Sequence, residues 1–157
     1  MATGRIIAGA GAAALLIATP FIAGWEGKRN TPYFDSAGIA TVCFGETRVP
    51  MRRYTDAECE AMLKKGVAEF MGPVAEMTPT IRDKPNTLAA TTSLAYNIGL
   101  ANYRNSTARK RFLAGDIKGG CNAFAPWHNI RKGGKLVPVQ GLKNRRAAEI
   151  KLCLKDS

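Results

Sequence analysis

Histidine is nearly absent from this sequence, and its cysteines lack the spacing of a metal site. The only histidine is His128, and the four cysteines (Cys43, Cys59, Cys121 and Cys153) contain no C-x-x-C pair. Structural zinc sites use closely spaced Cys and His ligands. The sequence therefore predicts no metal ion and no cofactor. It also has no internal repeat and no low-complexity tract, which argues against a repeat architecture and against disorder.

Acidic residues are the second scarcity. The 157 residues include 12 Asp and Glu against 23 Lys and Arg, which gives a formal net charge of +11. Such a charge favours an anionic partner: nucleic acid, an acidic membrane surface or the anionic polymers of a bacterial envelope. The basic residues are spread along the chain without a recognisable nucleic-acid-binding motif, so we expect no nucleic acid as partner. A solvated surface of one sign is the simpler alternative.

Charge is missing altogether from residues 6–25, IIAGAGAAALLIATPFIAGW. A helix of this length spans about 30 Å, the hydrocarbon thickness of a bilayer. Half of these residues are Ala or Gly, and Thr19 and Pro20 interrupt the run. Each Leu, Ile or Phe favours membrane insertion by only about 0.3 to 0.6 kcal/mol. The segment is therefore long enough to span a membrane but only marginally apolar enough to stay there.

Several roles are open to this segment. A cleaved signal peptide needs small residues in an A-x-A-like pattern, but Phe21 and Ile22 stand two positions before Ala23 and Gly24. A permanent anchor is normally richer in Leu and Phe, and a buried core helix is a further alternative. We favour a temporary anchor that carries the chain into the membrane and later leaves it. The cysteines and the large C-terminal part favour a C-terminal side outside the membrane.

The four cysteines form an even set downstream of an export-like segment, which fits two disulfides in an oxidising compartment. Free core thiols in a cytosolic protein are the alternative. Three pairings are possible. We favour Cys43 with Cys59 and Cys121 with Cys153, because each of these bonds would join neighbouring elements.

Beyond residue 26 the pattern predicts a small hairpin followed by short helices. Residues 35–38 form a turn before a strand over 39–44. Thr55 opens a helix with a capping box, and Gly72-Pro73 ends it. Further helices are expected at 85–98, from 105 or 106 to 113, at 116–127 and at 144–154, the last after a Gly-rich loop. The predicted fold class is α+β and mostly helical.

Two carboxylates and a hydroxyl lie close together in the sequence: Glu26, Asp35 and Thr41. Glycoside hydrolysis needs one carboxylic acid to protonate the leaving oxygen and a second carboxylate to activate water or to form a covalent bond. Glu26 adjoins apolar residues, which disfavour the charged form of a carboxylic acid, whereas Asp35 belongs to a polar turn. This asymmetry assigns Glu26 as general acid and Asp35 as base or stabiliser. The Thr41 hydroxyl would bind the attacking water.

The spacing of these three residues is by itself common in unrelated chains. However, EGKRNTPYFDSAGIATVCFGET resembles the catalytic stretch of phage lysozymes (endolysins of glycoside hydrolase family 24), which have Glu, Asp and Thr at these offsets. The resemblance continues in LAYNIGLANYRNSTARKRFLAGDIKGGC and in GLKNRRAAEIKLCL. The apolar N-terminal run resembles the signal-arrest-release (SAR) segment of the membrane-tethered branch of this family.

The resemblance implies a lysozyme-like fold, with a small β-hairpin lobe, a larger helical lobe and a preceding apolar helix. Residues 1–25 would form the SAR segment and residues 26–157 the catalytic domain. The implied substrate is peptidoglycan, cleaved between N-acetylmuramic acid and N-acetylglucosamine. Glu26 is the implied proton donor, Asp35 the second carboxylate and Thr41 the water-positioning residue. Asn97 is an implied substrate-binding residue, and members of this type are taken to invert the anomeric centre.

The resemblance also implies where the protein works. Residues 6–24 would lie in the host inner membrane with the N-terminus inside, and the catalytic domain would become a soluble periplasmic monomer after release. Loss of membrane potential is the expected trigger. Residues 1–25 contain no cysteine, so we expect no thiol switch in that segment. A cationic protein that binds or disrupts the envelope without chemistry is the alternative function.

Overall fold

The computed structural model describes residues 10–157, and over that range it is mostly helical, as predicted. It also contains two small antiparallel sheets, of which the sequence predicted only the first. Helix α1 (Ala10–Glu26) precedes a hairpin of β1 (Arg29–Phe34) and β2 (Ala40–Cys43). The chain continues through α2 (Asp56–Met77), a 3₁₀ turn (Pro79–Ile81), α3 (Pro85–Ile98), α4 (Leu100–Arg104), α5 (Thr107–Leu113) and α6 (Ile117–Asn122). A second hairpin, β3 (Asn129–Lys132) with β4 (Lys135–Pro138), leads to α7 (Gln140–Cys153) and a closing 3₁₀ turn (Leu154–Asp156).

Helix α1 is part of the main hydrophobic core. Its side chains Ala14, Leu15, Ala18 and Ile22 are buried together with residues of α2 and α3. Three of its buried positions are Ala or Gly, and such small residues allow helices to approach closely. The helix runs through Glu26, across the predicted boundary between residues 25 and 26. Residues 6–9 of the predicted membrane segment lie outside the described residues. Within residues 10–157, no helix meets the length and apolarity that a membrane crossing requires.

The first hairpin forms where the sequence predicts it. Strand β1 pairs with β2 in antiparallel register, with Tyr33 opposite Thr41 and Phe34 opposite Ala40. The connecting loop, residues 35–39, contains Gly38 at a φ of +77°, a left-handed conformation that favours glycine. The second strand, β2, is shorter than the predicted strand over 39–44 and ends at Cys43. The loop between the two strands carries Asp35.

Helix α2 begins as predicted and ends later than predicted. Thr55 and Glu58 form the complete capping box. The predicted end at Gly72-Pro73 is wrong, because the helix continues to Met77 with Pro73 inside it. A proline in a helix interior costs about 3 kcal/mol. Burial of the neighbouring Met71, Val74 and Ala75 in the core offsets that cost.

Helix α3 is the central helix of the fold. Every residue from 87 to 95 is buried, and the helix contacts α1, α2 and α7. Its predicted bounds are confirmed, with Pro85 at its start and Gly99 at a φ of +93° after its end. The short helix α4 that follows was not predicted.

The remaining helices are correct in order but not in every boundary. Asp116 caps α6 as predicted, and Ser106, one of the two predicted starts, caps α5. Helix α6 ends at Asn122, earlier than expected. The Gly-rich stretch predicted as a loop is the β3–β4 hairpin, which turns at Gly133-Gly134 with φ of +59° and +77°. Helix α7 accordingly starts at Gln140, before the predicted residue 144.

Both favoured disulfide pairings are confirmed. Cys43 bonds Cys59, which joins the first hairpin to α2, and Cys121 bonds Cys153, which joins α6 to α7. Residues 10–157 form two hydrophobic clusters that follow the same division. The smaller one surrounds Cys43 and Cys59, and the larger one lies among helices α1 to α7, which together are called the helical body.

Candidate active site

Glu26 is the last residue of α1, and its carboxylate contacts the helical body. Gly27 follows at a φ of +65° and turns the chain towards β1. The Nη1 group of Arg145 donates a hydrogen bond of 2.7 Å to Glu26 Oε1. The Glu26 side chain is 25% exposed and that of Arg145 is 5% exposed. The structure therefore places the candidate proton donor at the edge of the helical body, partly exposed to solvent and in contact with a buried cation.

This cationic partner was not predicted. From its neighbours in sequence, Glu26 was expected to lie against apolar surface that includes Trp25. Trp25 instead packs on Phe21, with ring centroids 6.5 Å apart, and remains partly exposed. Arg145 lies 119 positions away from Glu26, so local sequence gives no indication of the pair. The only sequence feature that could have indicated the pair is the adjacent arginines Arg145 and Arg146 in GLKNRRAAEIKLCL. No role was predicted for them.

Arg145 belongs to a buried polar cluster. Its Nε group lies 3.3 Å from Glu149 Oε2, and the Ser93 hydroxyl donates a 2.5 Å hydrogen bond to the same oxygen. Arg146 contacts Glu149 Oε1 at 2.6 Å and donates to the carbonyl of Trp127. Burial raises the pKa of Glu149 above its ordinary value, although the two guanidinium groups and the Ser93 hydroxyl oppose the rise. Burial lowers the pKa of Arg146, and Glu149 opposes that change.

Asp35 lies in the loop of the first hairpin and is fixed by that loop. Its Oδ1 accepts hydrogen bonds from the backbone N–H groups of Ala37 and Ile39, both at 2.9 Å. Its own N–H donates to the Ile39 carbonyl at 3.0 Å. Two hydrogen bonds therefore orient the Asp35 carboxylate, and a third fixes its backbone, all within five residues, as expected for an Asp turn.

Thr41 is buried in β2 and is tied to the same loop. Its Oγ1 donates a 2.8 Å hydrogen bond to the carbonyl of Ile39, the oxygen that also accepts the Asp35 N–H. Asp35 and Thr41 thus share a common anchor. Because the Thr41 hydroxyl donates its hydrogen to Ile39, its oxygen can act only as an acceptor towards any further partner.

Asn97 is exposed near the end of α3. It lies one helical turn after Ser93, and residues at that separation occupy the same side of a helix. The predicted site residues therefore fall into two structural groups. One consists of Glu26 with the Arg145 cluster, and Asn97 follows that cluster on α3. The other consists of Asp35 and Thr41 on the hairpin.

A cavity of about 240 Å³ separates the end of the first hairpin from α2 and α3, and its lining includes Glu46, Phe70 and Tyr96. Burial raises the pKa of Tyr96, and the negative charges of Glu26 and Glu46 raise it further. Burial alone would raise the pKa of Glu46, but hydrogen bonds and charge from Arg48 outweigh burial and lower it. Tyr96 and Glu46 line this cavity but were not predicted as site residues, although both belong to the segments that resemble phage lysozymes.

Comparison with known proteins gives a consistent result. A family model described as phage lysozyme matches residues 23–149, a range that contains Glu26, Asp35, Thr41, Asn97 and Arg145. The SAR-endolysin of bacteriophage PS119 is 39% identical over 136 residues, which cover 83% of this chain and 77% of that protein. The SAR-endolysin of Enterobacteria phage P21 is 37% identical over 160 aligned residues, which cover 95% of this chain and 93% of that protein.

Two solved structures are similar over most of the chain. The endolysin from Escherichia coli O157:H7 phage FAHEc1 gives a TM-score of 0.81 at 32% identity, and the match covers 89% of this chain and 92% of that one. The active form of the P1 phage endolysin Lyz gives a TM-score of 0.74 at 28% identity, with coverage of 90% and 83%.

Proposed function

Because the chain belongs to the phage lysozyme family, we propose that it is a peptidoglycan hydrolase with which a phage lyses its host. The observation that carries this proposal is the family match over residues 23–149, which spans every predicted site residue. The reaction is that of a lysozyme: hydrolysis of the β-1,4 bond between N-acetylmuramic acid and N-acetylglucosamine. The enzyme acts as a monomer on peptidoglycan, its one macromolecular partner besides the membrane.

In the proposed mechanism, Glu26 donates its proton to the glycosidic oxygen as that bond breaks. The Arg145 guanidinium, 2.7 Å from Glu26 Oε1, stabilises the carboxylate that remains after the proton has left. The hydrogen bond between them also fixes the direction of the carboxyl group. Substrate occupies the space between the first hairpin and the helical body, where Asn97 contacts it.

Asp35 accepts the proton of the attacking water, and Thr41 positions that water. The Thr41 hydroxyl donates to Ile39, so its oxygen accepts one hydrogen of the water while Asp35 accepts the other. Both groups are held by the same loop, which orients the water without a further conformational change. A water activated on the face opposite the leaving group inverts the anomeric centre.

We also propose that residues 6–24 are a SAR segment and that residues 1–25 and 26–157 are the corresponding functional parts. The segment first lies in the host inner membrane with the catalytic domain in the periplasm, and then leaves the membrane. Two relatives are named SAR-endolysins, which supports this proposal. The packing of α1 in the core and the similarity to the active form of Lyz support assigning the described arrangement to the released state.

A lysis assay tests the proposed function with two variants, each of which replaces a carboxyl group by a neutral amide. Glu26→Gln and Asp35→Asn preserve size and remove the acid and the base, so permeabilised cells should keep their turbidity. Glu60→Gln, at an exposed position of α2, is the matched control and should lyse cells like the parent. If Glu26→Gln and Asp35→Asn also lyse cells at the parental rate, the protein acts through its charge and not through hydrolysis.

A further inference from the structure

The cluster behind Glu26 contains a buried carboxylate to which the proposed mechanism gives no role. Glu149 is 0% exposed and lies at the centre of the cluster, in contact with Arg145, Arg146 and Ser93. Burying a carboxylate is unfavourable unless well-placed partners compensate for its lost hydration. Because Glu149 is fully buried and contacts the arginine that binds the candidate proton donor, we looked for a role in placing that donor.

We infer that Glu149 is a positioning residue. Together with Ser93 it holds the Arg145 guanidinium as a preformed binding site, called the seat below, for the Glu26 carboxyl group. This inference rests on the proposed function and adds to it the means by which the acid is placed. Glu149 does not contact Glu26 itself; Arg145 lies between them, at 3.3 Å from Glu149 and 2.7 Å from Glu26.

The seat is built without any contribution from α1. Arg145 and Glu149 belong to α7 and Ser93 to α3. These two helices are joined elsewhere by the Thr87 hydroxyl, which donates a 2.8 Å hydrogen bond to the Cys153 carbonyl. The cluster is therefore held within the body of the domain. Helix α1 contributes only Glu26 to the cluster. In the proposed release from the membrane, α1 packs onto the domain and brings Glu26 to Arg145.

Charge balance gives the seat its preference for a carboxylate. Arg145 and Arg146 are both buried, and among the described residues Glu149 is the single buried carboxylate that they share. One positive charge of the cluster therefore gains its counter-charge when Glu26 gives its proton to the leaving oxygen, and it stabilises the carboxylate that this step leaves. Helix α1 has no basic residue in its last turn, and a cation near a helix C-terminus is favourable. Arg145 supplies that cation from α7.

Three variants separate positioning from mere stability. Glu149→Gln keeps the shape of the side chain and removes its charge. Ser93→Ala removes only the hydroxyl that binds Glu149 and is the milder change should Glu149→Gln fail to fold. Tyr103→Phe is the control, because it breaks another buried hydrogen bond, the 2.6 Å contact with the Thr78 hydroxyl. The kcat and KM on soluble peptidoglycan fragments are measured per folded molecule, with urea unfolding to give the folded fraction.

A misplacement of about 1 Å at a reacting group can lower the rate about 100-fold. We therefore expect Glu149→Gln to lower kcat by about 10- to 100-fold with KM nearly unchanged, because the seat acts on the proton donor and not on substrate binding. Ser93→Ala should show a smaller loss in the same direction. Tyr103→Phe should lower stability and leave kcat per folded molecule as in the parent.

The inference is overturned if Glu149→Gln, or Ser93→Ala where the former does not fold, retains the parental kcat per folded molecule while Glu26→Gln is inactive. It is also overturned if both variants raise KM at constant kcat. Failure of the proposed function gives a different pattern: the parent then cleaves no fragments, or Glu26→Gln cleaves them at the parental rate.

Discussion

Removal of each disulfide should have a distinct effect, because the two bonds join different parts of the molecule. The bond between Cys43 and Cys59 closes 16 residues, and the bond between Cys121 and Cys153 closes 32. The loop-entropy relation gives a stabilisation of about 3.1 kcal/mol for the first bond and about 3.7 kcal/mol for the second. Either loss is a large fraction of the 5 to 15 kcal/mol, approximately, that stabilises a typical domain.

The perturbations are the paired variants C43A/C59A and C121A/C153A. Alanine suits these sites because all four cysteines are buried, and a serine hydroxyl would need a partner. The free energy of unfolding is measured with urea at neutral pH. Both variants should be destabilised by about 3 to 4 kcal/mol, with loss of the sulfur packing added equally to each.

Activity separates the two bonds. Cys43 follows Thr41 by two residues in β2 and attaches the hairpin to α2. C43A/C59A should therefore lower kcat per folded molecule, since the hairpin carries Asp35 and Thr41. C121A/C153A should chiefly lower the folded fraction. A loss of stability below about 1 kcal/mol in both variants, or equal kcat losses per folded molecule, would refute this reasoning.

Three further predictions concern other parts of the molecule. The variant A13L/P20L/G24L makes α1 more apolar at exposed positions, so release and host lysis should be delayed; lysis at the parental time in a culture would contradict the release model. The pKa of Asp56 is lowered by hydrogen bonds from Lys28 and Asn30, so its contribution to stability is present above the unfolded value and lost as pH falls through the folded value. The difference in unfolding free energy between the parent and Asp56→Asn should therefore shrink below about pH 4. A difference that stays constant with pH in urea titrations would argue against a stabilising contact of Asp56 with Lys28 and Asn30. Finally, the first product seen by NMR should carry the α-anomer at its new reducing end, and the β-anomer would show retention.

Local signals in the sequence predicted the starts of α2, α3, α5 and α6 and the first turn. Thr55 with Glu58, Ser106 and Asp116 are caps whose hydrogen bonds close within four residues, so their effect is independent of the rest of the fold. Gly99 and Gly38 mark backbone conformations that few other residues adopt. These positions were predicted correctly for that reason.

The errors arose where distant packing decides the structure. Pro73 lies inside α2 because neighbouring residues are buried against other helices, which no local pattern reveals. The β3–β4 hairpin is exposed along both strands, so it lacks the apolar alternation by which a strand is recognised. The same limit applies to the site. Glu26, Asp35 and Thr41 were found through a local motif. Arg145 contacts Glu26 from 119 positions away, and Glu149 acts through Arg145, so no local pattern points to either residue.

If the chain cleaves a glycosidic bond with Glu26 as the acid, the bond that is broken in peptidoglycan must depend on Glu26. The most direct measurement is the chemistry of the ends released from purified peptidoglycan, identified by reduction and mass spectrometry. The parent and Glu60→Gln should release new N-acetylmuramic acid reducing ends, and Glu26→Gln should release none. New ends of another chemistry, such as freed peptide termini, or equal release by Glu26→Gln, would contradict it.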